Sequence, residues 1–387
     1  MALPLNYSFR NALVRWRSTI ATVLGIALVV FVFVLLQSLA AGIEKSSGNT
    51  GDPRNIMVVR KGSTAESASL ISRQTFTEIR YFEEIARNEA GEPVISADVL
   101  VLVNLARREN NGEANVLLRG VTARGMELRP QVKLTAGRWF EPGQREIVVS
   151  AKLARRFANF DIGNSFKTGS ATFTVVGWLD GGGSAFDSEC WLDADECRST
   201  FERDMYSSFL IRVPDDAAAD QLMARIENDR RFKLKAEKEV EYYKKQTMTA
   251  APIKWLGGFL AVMMSVGAVF AAMNTMYAAV GARTREIGTL RVLGFRRRAV
   301  VTALLIEGGF LAFLGGVIGC AVAFYWNGYT TATMGFETFS EIVFQFSVTP
   351  QLIAQGLVFA VLVGLIGTLF PAIRASRLPV IEALKSI

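Results

Sequence analysis

The sequence predicts an α-helical membrane protein with four transmembrane helices and one large extracytoplasmic α+β domain. Three observations predict it. Four long apolar stretches, Ile20–Ile43, Trp255–Val280, Ala299–Trp326 and Ser347–Ile373, stand one plus three around a polar block. Each exceeds the roughly 20 residues that cross a hydrocarbon core about 30 Å thick, and only Glu307 interrupts them with a charge. The polar block itself mixes strand-like and helix-like runs.

Charge orients the chain. Residues 44–254 contain 31 Lys/Arg and 31 Asp/Glu, so the block is neutral and the net charge of +7 sits beside the membrane. Arg10, Arg15 and Arg17 precede the first stretch. Arg283, Arg285, Arg291, Arg296, Arg297 and Arg298 lie between the second and third, and Arg374, Arg377 and Lys385 follow the fourth. The 327–349 segment has no Lys or Arg and two acids, Glu337 and Glu341. Basic short loops mark the cytoplasmic side, so both termini and the 282–298 loop are expected inside, and the large block outside. Charge laid out this way is not a nucleic-acid groove, and no nucleic-acid partner is expected.

The elements follow in order. The first span is expected over 18–43. Its basic flank and the small-residue site at Ser38-Leu39-Ala40 resemble a signal peptide. Ile20–Leu36 is longer than the roughly 7–15 residues of a signal core, however, so an uncleaved anchor is expected. The external domain is expected over 44–250. Asn55–Arg60 is a strand candidate. Thr75–Arg87 has helical spacing of Phe76, Ile79, Tyr81–Phe82 and Ile85, and Pro93–Leu105 is β-branched, interrupted by Asp98 and Asn104. Ser208–Val213 and Phe232–Glu237 are strands around a helix over Asp215–Asn228, whose first turn carries acids. Two strand–helix–strand units thus bracket the block. Between them, over about 106–205, Val116–Val121, Glu146–Val149 and Thr172–Leu179 predict an inserted β-rich subdomain, punctuated by Gly137, Pro142-Gly143, Gly163 and Gly181–Gly183. The remaining spans are expected over 251–281, 299–326 and 347–373, with a short external loop at 327–346 and a cytoplasmic tail at 374–387.

Several chemistries are excluded. The chain has no histidine, which removes Ser-His and Cys-His nucleophiles and HExxH zinc sites. No GxxxxGK[ST] occurs, so a P-loop nucleotide site is absent from this sequence. Gly181-Gly182-Gly183-Ser184 lacks a following Lys and is expected to be a turn. Asp187, Glu189, Asp193, Asp195 and Glu196 fit no defined cation loop and are expected to form a solvated acidic turn. No metal and no catalytic residues are expected. Cys320 lies in the third span and is expected to be a small packer. Cys190 and Cys197 lie in the external block, where a disulfide is permitted; the sequence leaves a bridge and two free thiols equally open.

The third span carries Gly308, Ala312 and Gly316 every four residues, and Gly315 and Gly319 as a GxxxG. Small residues let helices approach closely in lipid, and packing within one chain is expected ahead of a dimer seam. Glu307 lies about 13 Å along the helix from Arg298 at 1.5 Å per residue. An acid at that depth faces the protein interior, and a structural polar contact is expected ahead of a proton relay. In the 282–298 loop, Ile287, Leu290, Val292 and Leu293 have helical spacing inside a basic rim. From physics alone this is either a docking helix or a loop lying on lipid headgroups.

A resemblance decides more. Arg283-Thr284-Arg285-Glu286-Ile287-Gly288-Thr289-Leu290-Arg291-Val292-Leu293-Gly294-Phe295-Arg296-Arg297 is similar to the RxREIGxLRxLGxxRR pattern of MacB/FtsX-like ABC permeases. Leu118-Arg119-Gly120-Val121, Gly137-Arg138-Trp139-Phe140, Glu146–Ser150 with Leu153–Phe157, and Phe173–Gly177 resemble the MacB-type periplasmic core domain. Pro371–Arg377 with Val380–Lys385 is similar to that family's PAxRAxRxxPxEAL tail. The resemblance covers the chain in order.

It implies a type VII ABC permease in the inner membrane. Leu3–Trp16, with Leu5, Phe9, Leu13 and Trp16 on one face, resembles the family's interfacial N-terminal helix, expected over 1–17. The 282–298 loop becomes a coupling helix that docks a separate ABC ATPase through Arg283, Arg285, Glu286, Ile287, Leu290, Arg291 and Leu293. The chain pairs with a second permease, identical or paralogous. It binds no cofactor itself; ATP and Mg²⁺ are used by the partner ATPase. A periplasmic adaptor and outer-membrane channel are further partners in the exporter form. The implied function is export or extrusion by mechanotransmission to paired periplasmic domains. The alternative is a non-transporting relay that regulates an external partner such as a cell-wall hydrolase. The chain departs from MacB itself in having no ATPase within this sequence.

Overall fold

The computed structural model describes residues 16–108, 112–246, 250–335 and 339–377. The interfacial helix expected over 1–17 falls outside them except for its last two residues, as does the tail from 378 onward. Among the described residues, four helices are long and apolar enough to cross a membrane: α1 (Trp16–Gly48), α8 (Ala250–Ala282), α10 (Arg297–Tyr325) and α11 (Pro350–Ser376). The chain divides into a membrane unit (Met1–Ala41, Ala251–Tyr329, Phe346–Ile387) and an external unit (Gly42–Ala250, Thr330–Gln345).

The external unit is built on a ten-stranded sheet. Its strands are β1 (Asn55–Arg60), β2 (Ile95–Ala106), β3 (Glu113–Val121), β4 (Lys133–Gly137), β5 (Glu146–Ser150), β6 (Ser165–Thr168), β7 (Ala171–Asp180), β8 (Glu189–Asp193), β9 (Ser208–Arg212) and β10 (Leu234–Lys238). They lie in the order β10-β1-β9-β2-β3-β8-β5-β7-β4, with β6 beside β7. Short helices α2 (Arg73–Ile79), α3 (Ala123–Glu127), α4 (Ala151–Ala154) and α5 (Ala194–Thr200), then α6 (Asp216–Asn228) and α7 (Glu239–Gln246), complete it.

Side chains alternate across a strand, so each strand feeds two cores. Ile56 and Val58 of β1 pack with Phe209, Ile211 and the α6 residues Leu222 and Ile226, while Met57 and Val59 pack with Leu210, Val148 and Trp191. Ile147 and Val149 of β5 join Val99, Leu118, Phe157 and Phe173 in a third core. Asp215 caps α6, accepting from Ala218 N at 2.8 Å.

Two expectations are corrected and one is refined. The β-rich segment expected over 106–205 is present, and its strands continue the sheet of the flanking units. The twelve-residue β2 pairs through Ile95–Asp98 with β9 and through Val99–Ala106 with β3, so one sheet runs on. The helix expected over Thr75–Arg87 stops at Ile79, and Phe82 and Ile85 reach the core from irregular chain. The 327–346 loop contains a hairpin, β11 (Thr330–Met334) and β12 (Glu341–Gln345), that belongs to the external unit. Val343 enters a sheet core, and its N–H donates to Ser188 Oγ at 2.8 Å. Glu341 binds Arg107 and Arg156 at 2.6 and 2.7 Å.

In the membrane unit, Ile26, Val30 and Val34 of α1 pack with Ala312, Cys320 and Ala323 of α10 and Ala360 of α11. A second cluster joins Met276 and Val280 of α8, Val300 and Leu304 of α10, and Ala372 and Ala375 of α11.

Candidate functional site

The loop between α8 and α10 folds as α9 (Thr284–Val292). One face is anchored, because Ile287 is buried in the cluster with Met276, Val280, Leu304 and Ala372. The other end is bare: Val292 is 60% and Leu293 70% exposed. Arg285, Glu286, Arg296, Arg297 and Arg298 are exposed around them, while Leu290 and Arg291 are half-buried. Arg291 folds back to donate to Phe295 O at 3.3 Å. A turn with Gly294 at φ +91°, a backbone suited to glycine, then leads into α10.

The family resemblance grouped Arg283 and Ile287 with the docking residues; within the membrane unit Arg283 pairs with Glu307 and Ile287 packs in a core. Arg283 Nη1 and Nη2 donate to Glu307 Oε2 and Oε1 at 3.0 and 3.2 Å, a two-pronged pair with both side chains about nine-tenths buried. This pair borders a recess of the membrane unit with Thr22, Thr275 and Thr368, in which Thr22 Oγ1 donates to Thr275 Oγ1 at 3.0 Å. Low dielectric makes an isolated charge there expensive, and the pair compensates it.

The small residues of α10 face two different neighbours. A methyl carbon added at Gly308 would stand 1.9 Å from Thr368 Oγ1, and one at Gly316 2.7 Å from Ala360 Cβ, both on α11. Ala312 Cβ lies 2.2 Å from where a side chain on Gly364 would begin. At Gly315 and Gly319 the obstacle is α1, with Val23 O at 2.8 Å and Ala27 O at 2.5 Å. The stripe therefore serves contacts inside one membrane unit.

In the external unit Cys190 and Cys197 are free and buried. Strand β8 sets Cys190 beside Leu118 and Val149, while α5 turns Cys197 Sγ toward Val99 O at 3.9 Å. Burial pushes both thiols up, Cys197 to about 12, so neither is a ready thiolate. The acids around them do not form a solvated turn. Asp187 is buried, accepts from Gly181 N and Gly183 N at 2.8 and 3.0 Å, and pairs with Lys152 at 2.6 Å. Asp193 caps α5 through Glu196 N at 3.2 Å. Asp195 alone of these five carries a side chain more than four-fifths exposed.

Glu189 leads to a feature that sequence spacing missed. Arg119, 1% exposed on β3, sits at the centre of a buried hub. Its Nε and Nη2 donate to Glu189 at 2.7 and 2.8 Å, and Nη1 and Nη2 to Glu66 at 2.9 and 3.2 Å. Nη1 also reaches Asp98 at 3.1 Å and Nη2 reaches Tyr243 Oη at 3.3 Å. Arg129 donates to Asp98 from the other side. Burial alone would raise the Asp98 carboxyl, but Arg129 and then Arg119 outweigh it and hold it below the usual range. Glu239 goes the other way: burial raises its carboxyl despite Arg129 and despite donation from Asn55 Nδ2 and Asp52 N at 2.8 and 2.9 Å.

The hub joins two ends of the unit. Glu66, Asp52 and Asn55 lie on the chain that follows α1. Glu239, Tyr242 and Tyr243 lie on α7, just before α8. Tyr242 Oη accepts from Glu66 N at 3.0 Å and Tyr243 Oη donates to Glu66 Oε1 at 3.1 Å. The sequence signal was present: Arg119 and Asp98 each interrupt an apolar strand.

Known proteins resemble both parts. Residues 19–229 match the family model of the MacB-like periplasmic core domain, and residues 258–380 that of the FtsX-like permease C-terminal region. The chain is 24% identical over 392 residues to the uncharacterized ABC transporter permease YknZ of Bacillus subtilis, covering 95% of this chain and 94% of that protein. It is also 24% identical over 408 residues to the macrolide export ATP-binding/permease protein MacB of Chlorobium luteolum, covering 97% of this chain but 58% of that longer protein. Among solved structures, the periplasmic region of MacB from Actinobacillus actinomycetemcomitans is 13% identical, with a TM-score of 0.38, over 51% of this chain and 94% of that one.

Proposed function

Because the chain belongs to the MacB/FtsX-like family of ABC transporter permeases, we propose that it is the membrane subunit of an exporter driven by a separate cytoplasmic ATPase. The chain catalyses nothing on this reading; ATP and Mg²⁺ belong to the ATPase. A second permease copy or paralogue completes the assembly, in the inner membrane, with the external unit on the periplasmic side.

The observation that carries the reading is the two-sided character of α9. Ile287 fixes it to α8, α10 and α11, while Val292 and Leu293 stand exposed inside a basic rim. An apolar tip on a rigidly held helix suits a groove on a partner. Motion imposed there moves the bundle. The covalent routes onward are α1 and α8, which run into the segments that the Arg119 hub ties together. Within the apolar stretches of the described spans Glu307 is the one charged residue, and it is paired with Arg283, so a polar substrate has little lining for a path through one bundle. Work delivered to the external unit is the better use of this architecture.

The test is co-purification of the ATPase subunit with the full chain carrying Val292→Asp and Leu293→Glu. Bound ATPase should fall at least about tenfold, the equivalent of 1.4 kcal/mol, while the chain elutes as before. Undiminished binding would overturn the docking assignment.

A further inference from the structure

The chain turns from α8 into α9 at Arg283, whose backbone leaves helical values at φ −114° and ψ 18°. Its N–H still donates to Val280 O of α8 at 3.0 Å, and its carbonyl accepts from Ile287 N at 3.0 Å, the start of α9. One residue therefore forms the corner between a span and the docking helix. Its side chain leaves that corner and reaches a third element. Both guanidinium prongs end on Glu307 of α10, at 3.0 and 3.2 Å. Glu307 stands about 15 Å along α10 from Arg297, at 1.5 Å per residue. The next residue, Gly308, lies at the close contact with α11, where an added methyl would collide with Thr368.

The other ties of α9 are of a different kind. Ile287 packs with Met276, Val280, Leu304 and Ala372. Apolar contact is not directional, so it holds the helix near the bundle but lets it slide or roll. The far end of α9 runs into α10 through the turn at Gly294. A forked guanidinium–carboxylate pair is directional, because two parallel hydrogen bonds set both distance and orientation. It is also costly to break where both partners are about nine-tenths buried, since each charge would be left alone in low dielectric. Such a pair adds little stability over two apolar side chains of like volume, so what it supplies is geometry.

We infer that Arg283 and Glu307 are positioning residues of the relay. They lock the corner between α8 and α9 to α10, so that a push on Val292 and Leu293 displaces α10 and α11 instead of turning α9 in place. The inference rests on the proposed docking role of α9 and adds the link by which motion leaves that helix.

The experiment uses the full chain assembled with its ATPase subunit, with spin labels on Tyr81→Cys, a site 67% exposed on the external unit. The readouts are bound ATPase, melting temperature and the distance distribution between labels, with and without ATP trapping. Arg283→Met with Glu307→Leu replaces the pair by apolar side chains. It should keep the parent's melting temperature and bound ATPase and lose the shift on trapping. Arg283→Lys keeps the charge without the fork, and should keep bound ATPase with a smaller shift. Should the first variant fail to fold, the second carries the test alone. A shift as large as the parent's in either folded variant would overturn the positioning role and leave the docking reading standing. Loss of bound ATPase in a folded variant would also overturn it, by placing the pair in docking. No shift in the parent itself would overturn the relay reading, and this inference with it.

Discussion

The external unit and the membrane unit reach close packing by opposite chemistry. At the centre of the first, Arg119 and Arg129 are buried among Glu66, Asp98 and Glu189, and charge-assisted hydrogen bonds hold strands and helices together. At the centre of the second, side chains are nearly removed: Gly308, Gly316 and Gly364 let α10 and α11 touch, and Gly315 and Gly319 admit α1. The difference follows from solvent. A water-facing domain has hydrophobic burial to offset the desolvation of a network. Helices in lipid gain little from burial against one another and rely on contact distance.

That contrast can be broken in a definite order. The largest effect is expected from Arg119→Met, which strands the buried carboxylates of Glu66 and Glu189, leaves Asp98 with Arg129 alone, and should cost about 3–5 kcal/mol in denaturant unfolding of the detergent-solubilised chain. Adding Glu66→Gln and Glu189→Gln should restore much of it, since an uncharged core needs no counter-ion. A single-variant loss below about 1 kcal/mol would mean that the hub is not what holds the unit.

Gly308→Val comes next. The new side chain collides with Thr368, so α10 and α11 must separate, at about 1–3 kcal/mol. Thr368→Gly in the same chain should recover part of the loss in thermal stability. No recovery would place the strain elsewhere than on α11.

Glu239 gives a smaller, pH-dependent effect. Its folded carboxyl titrates above the ordinary 4.5, so its favourable contribution is complete below 4.5 and is lost as pH rises through the folded value. Glu239→Gln removes that loss. The stability of the variant relative to the parent should therefore grow as pH rises from 4.5, in melting curves taken across that range. A constant difference would show that the carboxyl is not raised. Smallest of all, Val292→Asp with Leu293→Glu should change stability by no more than about 0.5 kcal/mol, because both side chains are exposed.

The comparison also explains what the sequence made legible. Spans are continuous in sequence and their apolar runs are local, so four helices could be read directly. Strands such as Asn55–Arg60 and Ser208–Arg212 declared themselves by short apolar runs. The hub was hidden because Asp98, Arg119 and Glu189 meet only through the pairing of β2, β3 and β8, and Glu66 and Tyr243 reach them from two other, distant elements. The hairpin β11–β12 was missed because Thr330–Met334 is small and polar and gains its partner only when Val343 docks on the sheet. On α9 the spacing gave a helix, but not which apolar residues it would keep for itself: Ile287 goes to the core, and Leu293 does not.

The central claim is that α9 receives motion from an ATPase and the external unit delivers it. A spin label tests this most directly. Tyr81→Cys places a label at a site 67% exposed on the external unit, and Cys190, Cys197 and Cys320 are buried and so poorly reactive. Distances between labels in the assembled permease pair should be measured with the ATPase subunit, without nucleotide and in an ATP-trapped state. The account predicts a shifted distance distribution on trapping, absent when Val292→Asp and Leu293→Glu are introduced. An unchanged distribution in a complex that binds and hydrolyses ATP would contradict it.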